Sequence, residues 1–217
     1  MTKINVDMHV HTSCSRDSLI PADRLIETCD YHCIDCVAVT DHDTIECAVE
    51  LHNQSPEKII IGEEIHTTFG EIIGLFLNEW VQPFLSPMDT VKRIKDQGGI
   101  VYIPHPFDSM RASVLRREAL EAIYEDIDII EVFNSRNAFP WSNKKAMNFA
   151  SERRILAGVG SDAHTRYEIG KAYITIEQFR SAEDFLSKLQ DASLHTRKTP
   201  VGFNFLNKIY KIARNIG

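Results

Sequence analysis

Short continuous apolar runs alternate along this chain with stretches whose apolar residues recur every three or four positions. The runs are Ile4–His9, Cys36–Thr40, Lys58–Ile61, Ile72–Leu77, Ile100–Ile103, Ile127–Phe133, Ile155–Val159 and Ala172–Ile176. Most are rich in Ile and Val without alternation, the pattern of a strand covered on both faces. Between them lie helical patterns. Pro21 opens one, with Ala22, Leu25, Ile26, Cys29 and Cys33 on a face. Ser86-Pro87-Met88-Asp89 reads as a cap and first turn, continued by Val91 and Ile94 and ended by Gly98-Gly99. Leu115, Ala119 and Ile123 form a third, Ala146, Phe149 and Ala150 a fourth, and Ser181 caps a fifth carrying Phe185 and Leu189. Repeated strand–helix–strand units predict parallel strands joined by right-handed crossovers. Polar residues stand at the C-terminal end of nearly every strand, which favours a closed α/β barrel over an open sheet with one switch point.

From about Val201 the pattern changes. Phe203, Leu206, Ile209, Tyr210, Ala213 and Ile216 fall on a helical spacing among Lys208, Lys211 and Arg214. The expected organisation is therefore one domain over residues 1–200 and an amphipathic C-terminal helix over residues 201–217, docked on the body.

Length and composition agree with a single large folded domain: 217 residues, 43% hydrophobic and 25% charged. No apolar run reaches the roughly 18 residues of a spanning helix, so stable membrane insertion is not expected. The first five residues lack the apolar stretch of a signal peptide. Five cysteines at 14, 29, 33, 36 and 47 are therefore expected as reduced thiols in a cytoplasm. Cys33-Ile34-Asp35-Cys36 has no second pair elsewhere and reads as structural thiols. A net charge of −7 argues against a general electrostatic grip on nucleic acid.

Candidate chemistry gathers at the strand ends. Asp7-Met8-His9-Val10-His11 places residues 7, 9 and 11 on one face of an extended chain. Two imidazoles so placed can hold one ion, with Asp7 as ligand or supporting partner. Thr40-Asp41-His42-Asp43, Gly62-Glu63-Glu64, Pro104-His105-Pro106 and Gly160-Ser161-Asp162-Ala163-His164 follow four further strands. Each has a plain structural reading as a cap or surface group. In a barrel, however, these points converge on one rim. Mixed His and carboxylate donors suit borderline divalent ions such as Zn²⁺, Mn²⁺ or Fe²⁺, and so many donors exceed the need of one ion. Two or three ions could bind both oxygens of an in-line phosphoryl displacement and supply hydroxide near neutral pH.

At these residues the sequence resembles the PHP (polymerase and histidinol phosphatase) family of metal-dependent phosphoesterases. Residues 7–11, 40–43, His105 and 162–164 look like its four motifs in order, and the resemblance covers roughly residues 4–176. It implies a distorted (β/α)₇ barrel. It also implies that His9, His11 and Asp162 hold a first ion, that Glu64 bridges two, that His105 serves the second, and that Asp17, His42 and His164 serve a third. Ser18 departs from the Ser-Asp-Gly often found around Asp17. Asn134 stands near the point where some members carry a His or Cys ligand. A neutral amide is a weak ligand for such metals, so the second ion is expected to bind loosely or with water.

Arg111 and Arg136 follow proposed ligands closely, and a planar guanidinium matches two phosphate oxygens. Arg166 is a weaker candidate. His42 and His164 are also expected to assist the leaving oxygen. His32, His52, His66 and His195 match no motif and are expected on the surface or behind the ligands. Trp80 and Trp141 are expected in core or rim. The expected activity is cytoplasmic hydrolysis of a small phosphomonoester by a metal-bound hydroxide. The alternative is a phosphodiesterase or 5′–3′ exonuclease acting on short nucleic acid or nucleotide bisphosphates. Amide or lactone hydrolysis and a non-catalytic metal-binding module are the remaining readings. The intact motifs oppose the last of these. Oligomeric state is left open.

Overall fold

The structure is a computed structural model and describes residues 2–200. The expected helix over residues 201–217 lies outside the described residues. Among the described residues, nine strands form one sheet: β1 (Lys3–Val10), β2 (Cys36–Val39), β3 (Ile59–Thr67), β4 (Gly70–Leu75), β5 (Ile100–Ile103), β6 (Ile129–Asn134), β7 (Leu156–Gly160), β8 (Ala172–Glu177) and β9 (Ser193–Thr196). Six helices accompany them: α1 (Leu25–Tyr31), α2 (Glu46–Gln54), α3 (Pro87–Asp96), α4 (Arg117–Ala122), α5 (Pro140–Arg153) and α6 (Ala182–Leu189).

The order across the sheet is β7-β6-β5-β4-β3-β2-β1-β8-β9. β1, β2 and β3 are parallel, as are β5, β6 and β7. The sheet curls until the end of β1 meets the segment after β7. There Asp162 N donates to His9 O at 2.8 Å and His11 N to Ala163 O at 3.0 Å. Asp7, fully buried, accepts from the backbone of Ser161 and Gly170, each at 3.0 Å, and locks the seam. The first half of β1 instead pairs with β8. The result is the expected distorted α/β barrel, with β8 and β9 as an antiparallel extension.

Two expectations change. The strands are not all parallel: β4 runs antiparallel to both neighbours, because the hairpin after β3 reverses the chain within Thr67–Gly70 with no room for a crossover helix. Gly70 takes φ +119° there, and a Cβ would lie 2.5 Å from the Leu115 Cα. Two elements also lay outside the predicted pattern. Helix α2 begins directly after the chemistry-bearing Asp41–Asp43 and buries Cys47, Ala48 and Leu51. Strand β9 is largely exposed and so carries no continuous apolar signal.

Caps appear where expected. Ser86 accepts from Asp89 N, Pro87 opens α3, and Ser181 accepts from Asp184 N at the start of α6. The main core fills the barrel with Val6, Met8, Ile73, Tyr102, Ile130 and Val159, all at most 1% exposed or fully buried. Phe185 of α6 closes one side against Phe76 and Phe179. A second cluster joins α1 and α2 to β1 and β2 through Ile20, Leu25, Ile34 and Leu51.

The cysteine expectation holds only for Cys29, Cys33 and Cys36, which are free thiols. Cys14 and Cys47 form a disulfide. The loop after β1 and the first turn of α2 are brought side by side, with Cα atoms 6.2 Å apart.

Candidate metal centre

The parallel strands end on one rim, at a cleft of about 1200 Å³ lined by Asp17, His42, Arg111, Arg136 and His164, with His9, His11, Glu64, His105 and Asp162 buried against it. His9 and His11 leave β1 on one face, and their Nε2 atoms approach to 3.0 Å. Glu64, from the extended end of β3, reaches between them. Its Oε2 lies 3.5 Å from His9 Nε2, 3.2 Å from His11 Nε2 and 3.3 Å from His42 Nδ1. Its Oε1 lies 3.0 Å from His105 Nε2. Asp162 Oδ1 is 3.7 Å from His9, 3.6 Å from His11 and 3.4 Å from His164 Nδ1. Asp17 Oδ2 is 3.7 Å from His42 Nε2 and 3.5 Å from His164 Nε2. All eight proposed ligands thus meet in one place.

Two of them, and the neighbouring Asp43, sit in strained backbone. Asp43, His105 and Asp162 take φ of +57°, +30° and +54°, a region disfavoured for residues with a Cβ. Gly160 lets β7 approach β1, since a Cβ there would sit 2.4 Å from His9 Cβ. Asp41 holds the loop that carries Asp17. It accepts from Thr12 N and Oγ1 at 2.7 and 2.6 Å, and from Ser15 N and Oγ at 3.2 and 2.7 Å. Ser18, the departure noted beside Asp17, donates to His11 O at 2.8 Å and is buried within the same loop.

Charge is strongly concentrated. Burial lowers the His9 pKa, but Glu64, Asp162 and Glu131 outweigh it and hold the imidazole well above its usual value. Burial raises Glu64, yet His9 and His42 pull it well below the usual range. Asp162 is likewise depressed against its burial by Arg111 and His9. Burial, Arg136 and His11 push His164 down to about 4, which leaves its ring neutral near pH 7. Burial and His42 also lower His11. A neutral imidazole is the form that binds metal.

The donor set fits divalent ions. Glu64 Oε2 and Asp162 Oδ1 are buried yet accept no hydrogen bond, though each faces several histidine nitrogens. His9, His11 and Glu64, and separately His9, His105 and Asp162, bring donor atoms within 4.8 Å of one another. For bonds near 2.1 Å, adjacent donors around a tetrahedral ion stand about 3.4 Å apart. The spacings above bracket that value.

Arg111 and Arg136 both line the cleft. Arg111 pairs with Asp162, and its Nε lies 3.3 Å from Asp108 Oδ2, the salt bridge that is its plain structural role. Arg136 contacts His164 Nδ1 and lies 3.5 Å from Glu168 Oε1. Arg166 is elsewhere: exposed, it stacks over Tyr167 and bonds its hydroxyl. Asn134 is not aimed at an ion. Its Nδ2 donates to Glu131 at 2.9 Å and Asp162 at 3.2 Å, and its Oδ1 accepts from Arg136 N.

Three residues around the site were missed. Glu131 accepts from His9 Nδ1 at 3.0 Å, Tyr102 Oη at 3.1 Å and His105 N at 2.6 Å, and so fixes the His9 ring. Glu71 is 2% exposed and sits at the start of β4. An antiparallel strand begins where its parallel neighbours end, so a search of strand C-terminal ends passes it over. His66 pairs with Glu71 and with Asp43, each at 3.0 Å, and those two hydrogen bonds raise its pKa to about 10. It therefore lies in the cleft wall and not on a remote surface. The remaining three histidines lie away from the cluster: His32 bonds Arg166 O, His52 bonds Ile59 O, and His195 stacks on Tyr173. Trp80 donates to Asp43 O, and Trp141 stacks on Phe139 at the surface.

A barrel of this curvature with a histidine and carboxylate rim defines the class of PHP-type folds. The PHP_C (PHP-associated) family model matches residues 140–194. The chain is 34% identical over 197 residues to "Uncharacterized protein MJ0417" of Methanocaldococcus jannaschii, covering 86% of this chain and 79% of that one. It belongs to the PHP family. Two solved structures share the fold. One is a two-domain protein containing a predicted PHP-like metal-dependent phosphoesterase from Bacteroides vulgatus, with a TM-score of 0.71 and 16% identity. The match covers 90% of this chain and 65% of that one, just under two thirds of its length. The other is the lesion-specific endonuclease PfuEndoQ from Pyrococcus furiosus, with a TM-score of 0.69 and 14% identity over 89% of this chain and 58% of that one. No helix among the described residues is long and apolar enough to cross a membrane.

Proposed function

We propose that this chain is a metal-dependent phosphoesterase, most simply one that hydrolyses small phosphomonoesters. The observation that carries the reading is the convergence of His9, His11, His42, His105, His164, Asp17, Glu64 and Asp162 in one cluster at the floor of a cleft walled by Arg111 and Arg136. In this reading His9, His11 and Asp162 would hold one divalent ion, Glu64 would reach two of them, His105 would serve a second, and Asp17, His42 and His164 would serve a third. Such ions lower the pKa of water and neutralise phosphoryl oxygens. The protein's own part is to fix geometry and charge. Glu131 keeps His9 Nε2 directed into the cluster. Arg111 and Arg136 turn from Asp162 and His164 toward the equatorial oxygens of a bound phosphate. Where no third ion is bound, Asp17, 3.7 Å from His42 Nε2, would instead hold His42 as the protonated ring beside the leaving oxygen.

A second reading has a specific support. The cleft is wide, and Phe84 and Met110 on its wall are 69% and 68% exposed, surfaces on which a base could rest. PfuEndoQ, an endonuclease, shares the fold. A phosphodiesterase acting on short nucleic acid or nucleotide bisphosphates is therefore the alternative. The discriminating assay compares p-nitrophenyl phosphate with bis-p-nitrophenyl phosphate in Mn²⁺ or Zn²⁺. Turnover of the monoester alone supports the first reading, and preference for the diester supports the second. Failure of the purified, metal-supplemented protein on both, and on a short oligonucleotide, overturns the phosphoesterase assignment.

A further inference from the structure

The β3–β4 hairpin carries a second group of donors at the mouth of the cleft, beyond the eight assigned above. His66 and Glu71 are directly opposed across the hairpin, so the register itself sets them side by side. His66 Nε2 lies 3.0 Å from Glu71 Oε1, and His42 Nδ1 lies 3.7 Å from the same oxygen. The three donor atoms all fall within 4.8 Å of one another. The 3.0 and 3.7 Å separations bracket the edge of about 3.4 Å expected around a tetrahedral zinc-like ion.

Two features mark this as a built site and not a chance pairing. First, His66 is aimed from behind. Asp43 Oδ2 accepts from Nδ1 at 3.0 Å and Asp43 Oδ1 from the His66 backbone at 2.8 Å, while Trp80 holds the Asp43 carbonyl. A cation would displace the Nε2 proton that faces Glu71 in its absence, while the Asp43 carboxylate keeps Nδ1–H and so orients the ring, the usual support of a metal-bound histidine. Second, Glu71 is almost wholly buried, and its other oxygen faces His105 Nε2 at 3.8 Å. One carboxylate thus looks toward the deep cluster with Oε2 and toward the mouth with Oε1. His42 Nδ1 is itself buried without a hydrogen-bond partner.

We propose that His42, His66 and Glu71, with Asp43 orienting His66, form an additional divalent-cation position at the mouth of the cleft, bridged to the deeper cluster by Glu71. A neutral imidazole has one lone pair. Binding at the mouth uses His42 Nδ1 and leaves Nε2–H to donate to Asp17. The position therefore competes for His42 with the ion assigned to Asp17, His42 and His164. Borderline ions such as Zn²⁺ or Mn²⁺ fit this donor set.

The proposal rests on the cluster being metal-binding, and the test separates the two. The full chain is stripped with chelator and titrated with Zn²⁺ and Mn²⁺, with bound metal counted by plasma emission. Co²⁺ absorption serves as a second readout. His66 is half-buried, so His66→Ala should stay folded by circular dichroism. It should lose the mouth class with its Co²⁺ signature, while the deep sites remain and the ion assigned to Asp17, His42 and His164 binds at least as tightly as before. Asp43→Asn should keep that class with affinity reduced on the order of 10- to 100-fold. His9→Ala should disturb the deep sites and spare the mouth. A folded His66→Ala with the wild-type number of ions, affinities and Co²⁺ spectrum overturns the mouth position and leaves the phosphoesterase reading standing. A folded wild-type chain that binds no ion overturns both.

Discussion

The seam where β1 meets β7 gives the sharpest test of how the barrel builds its cluster. Gly160 stands there, and a Cβ at that position would lie 2.4 Å from His9 Cβ and 2.5 Å from Glu131 Oε1. Carbon atoms pack at about 3.5–4.0 Å, so Gly160→Ala lacks roughly 1 Å of space. The obstructing carbon is a Cβ, which rotamer change cannot move. The strands themselves must part. Overpacking of this kind costs about 1–3 kcal/mol, and the short contact places it toward the upper end. The same displacement moves His9 relative to Glu64 and Asp162, whereas a site of this kind tolerates only about 0.5 Å. Gly98→Ala is the control. Its Cβ meets nothing within 4 Å, but φ is +77°, so it costs about 1–2 kcal/mol through backbone strain far from the rim. Urea unfolding followed by circular dichroism, with Mn²⁺ titration of the folded proteins, reads both effects. Both variants should be destabilised, and only Gly160→Ala should lose metal affinity, by at least about tenfold. A folded Gly160→Ala that binds metal like the wild type would refute the reasoning.

Two further outcomes test charge and covalent structure. Burial pushes the Glu63 carboxyl up to about 8, while its Oε2 accepts from Val81 N. The folded state then holds a proton that the unfolded chain releases near its ordinary value of 4.5. The Glu63 contribution to stability should be greatest below that value and fall as pH rises toward 8, with a slope of about 1.4 kcal/mol per unit for one proton. Glu63→Gln should remove that slope, and identical pH profiles for the two proteins would count against it. The Cys14–Cys47 disulfide closes a span of 33 residues, so Cys14→Ser should lower stability by roughly 3–4 kcal/mol. Thiol titration of the denatured, unreduced chain should find three free cysteines, and five would show the bond absent.

Much of this protein is legible along the chain. The covered strands announce themselves through uninterrupted Ile and Val. Ser86 and Ser181 mark helix starts through local hydrogen bonding, which needs no distant partner. His9, His11, Glu64, His105, Asp162 and His164 stand out because parallel strands end together, so position in the strand implies position in the site. Three-dimensional packing decided the rest. The reversal of β4 depends on a tight hairpin and brings the start of that strand to the rim, which is why Glu71 carries no signal in its own neighbourhood. His66 enters the cleft only through the register that opposes it to Glu71 and through Asp43, 23 residues earlier. Glu131 orients His9 across 122 residues, and Asn134 spends its amide on that same carboxylate. The pairing of Cys14 with Cys47 likewise follows from Asp41 drawing one loop onto the next. Sequence determines what each segment can become from its neighbours within a few residues, whereas which side chains face one another across the cleft is set by strand direction, register and curvature, quantities that exist only once the chain has closed on itself.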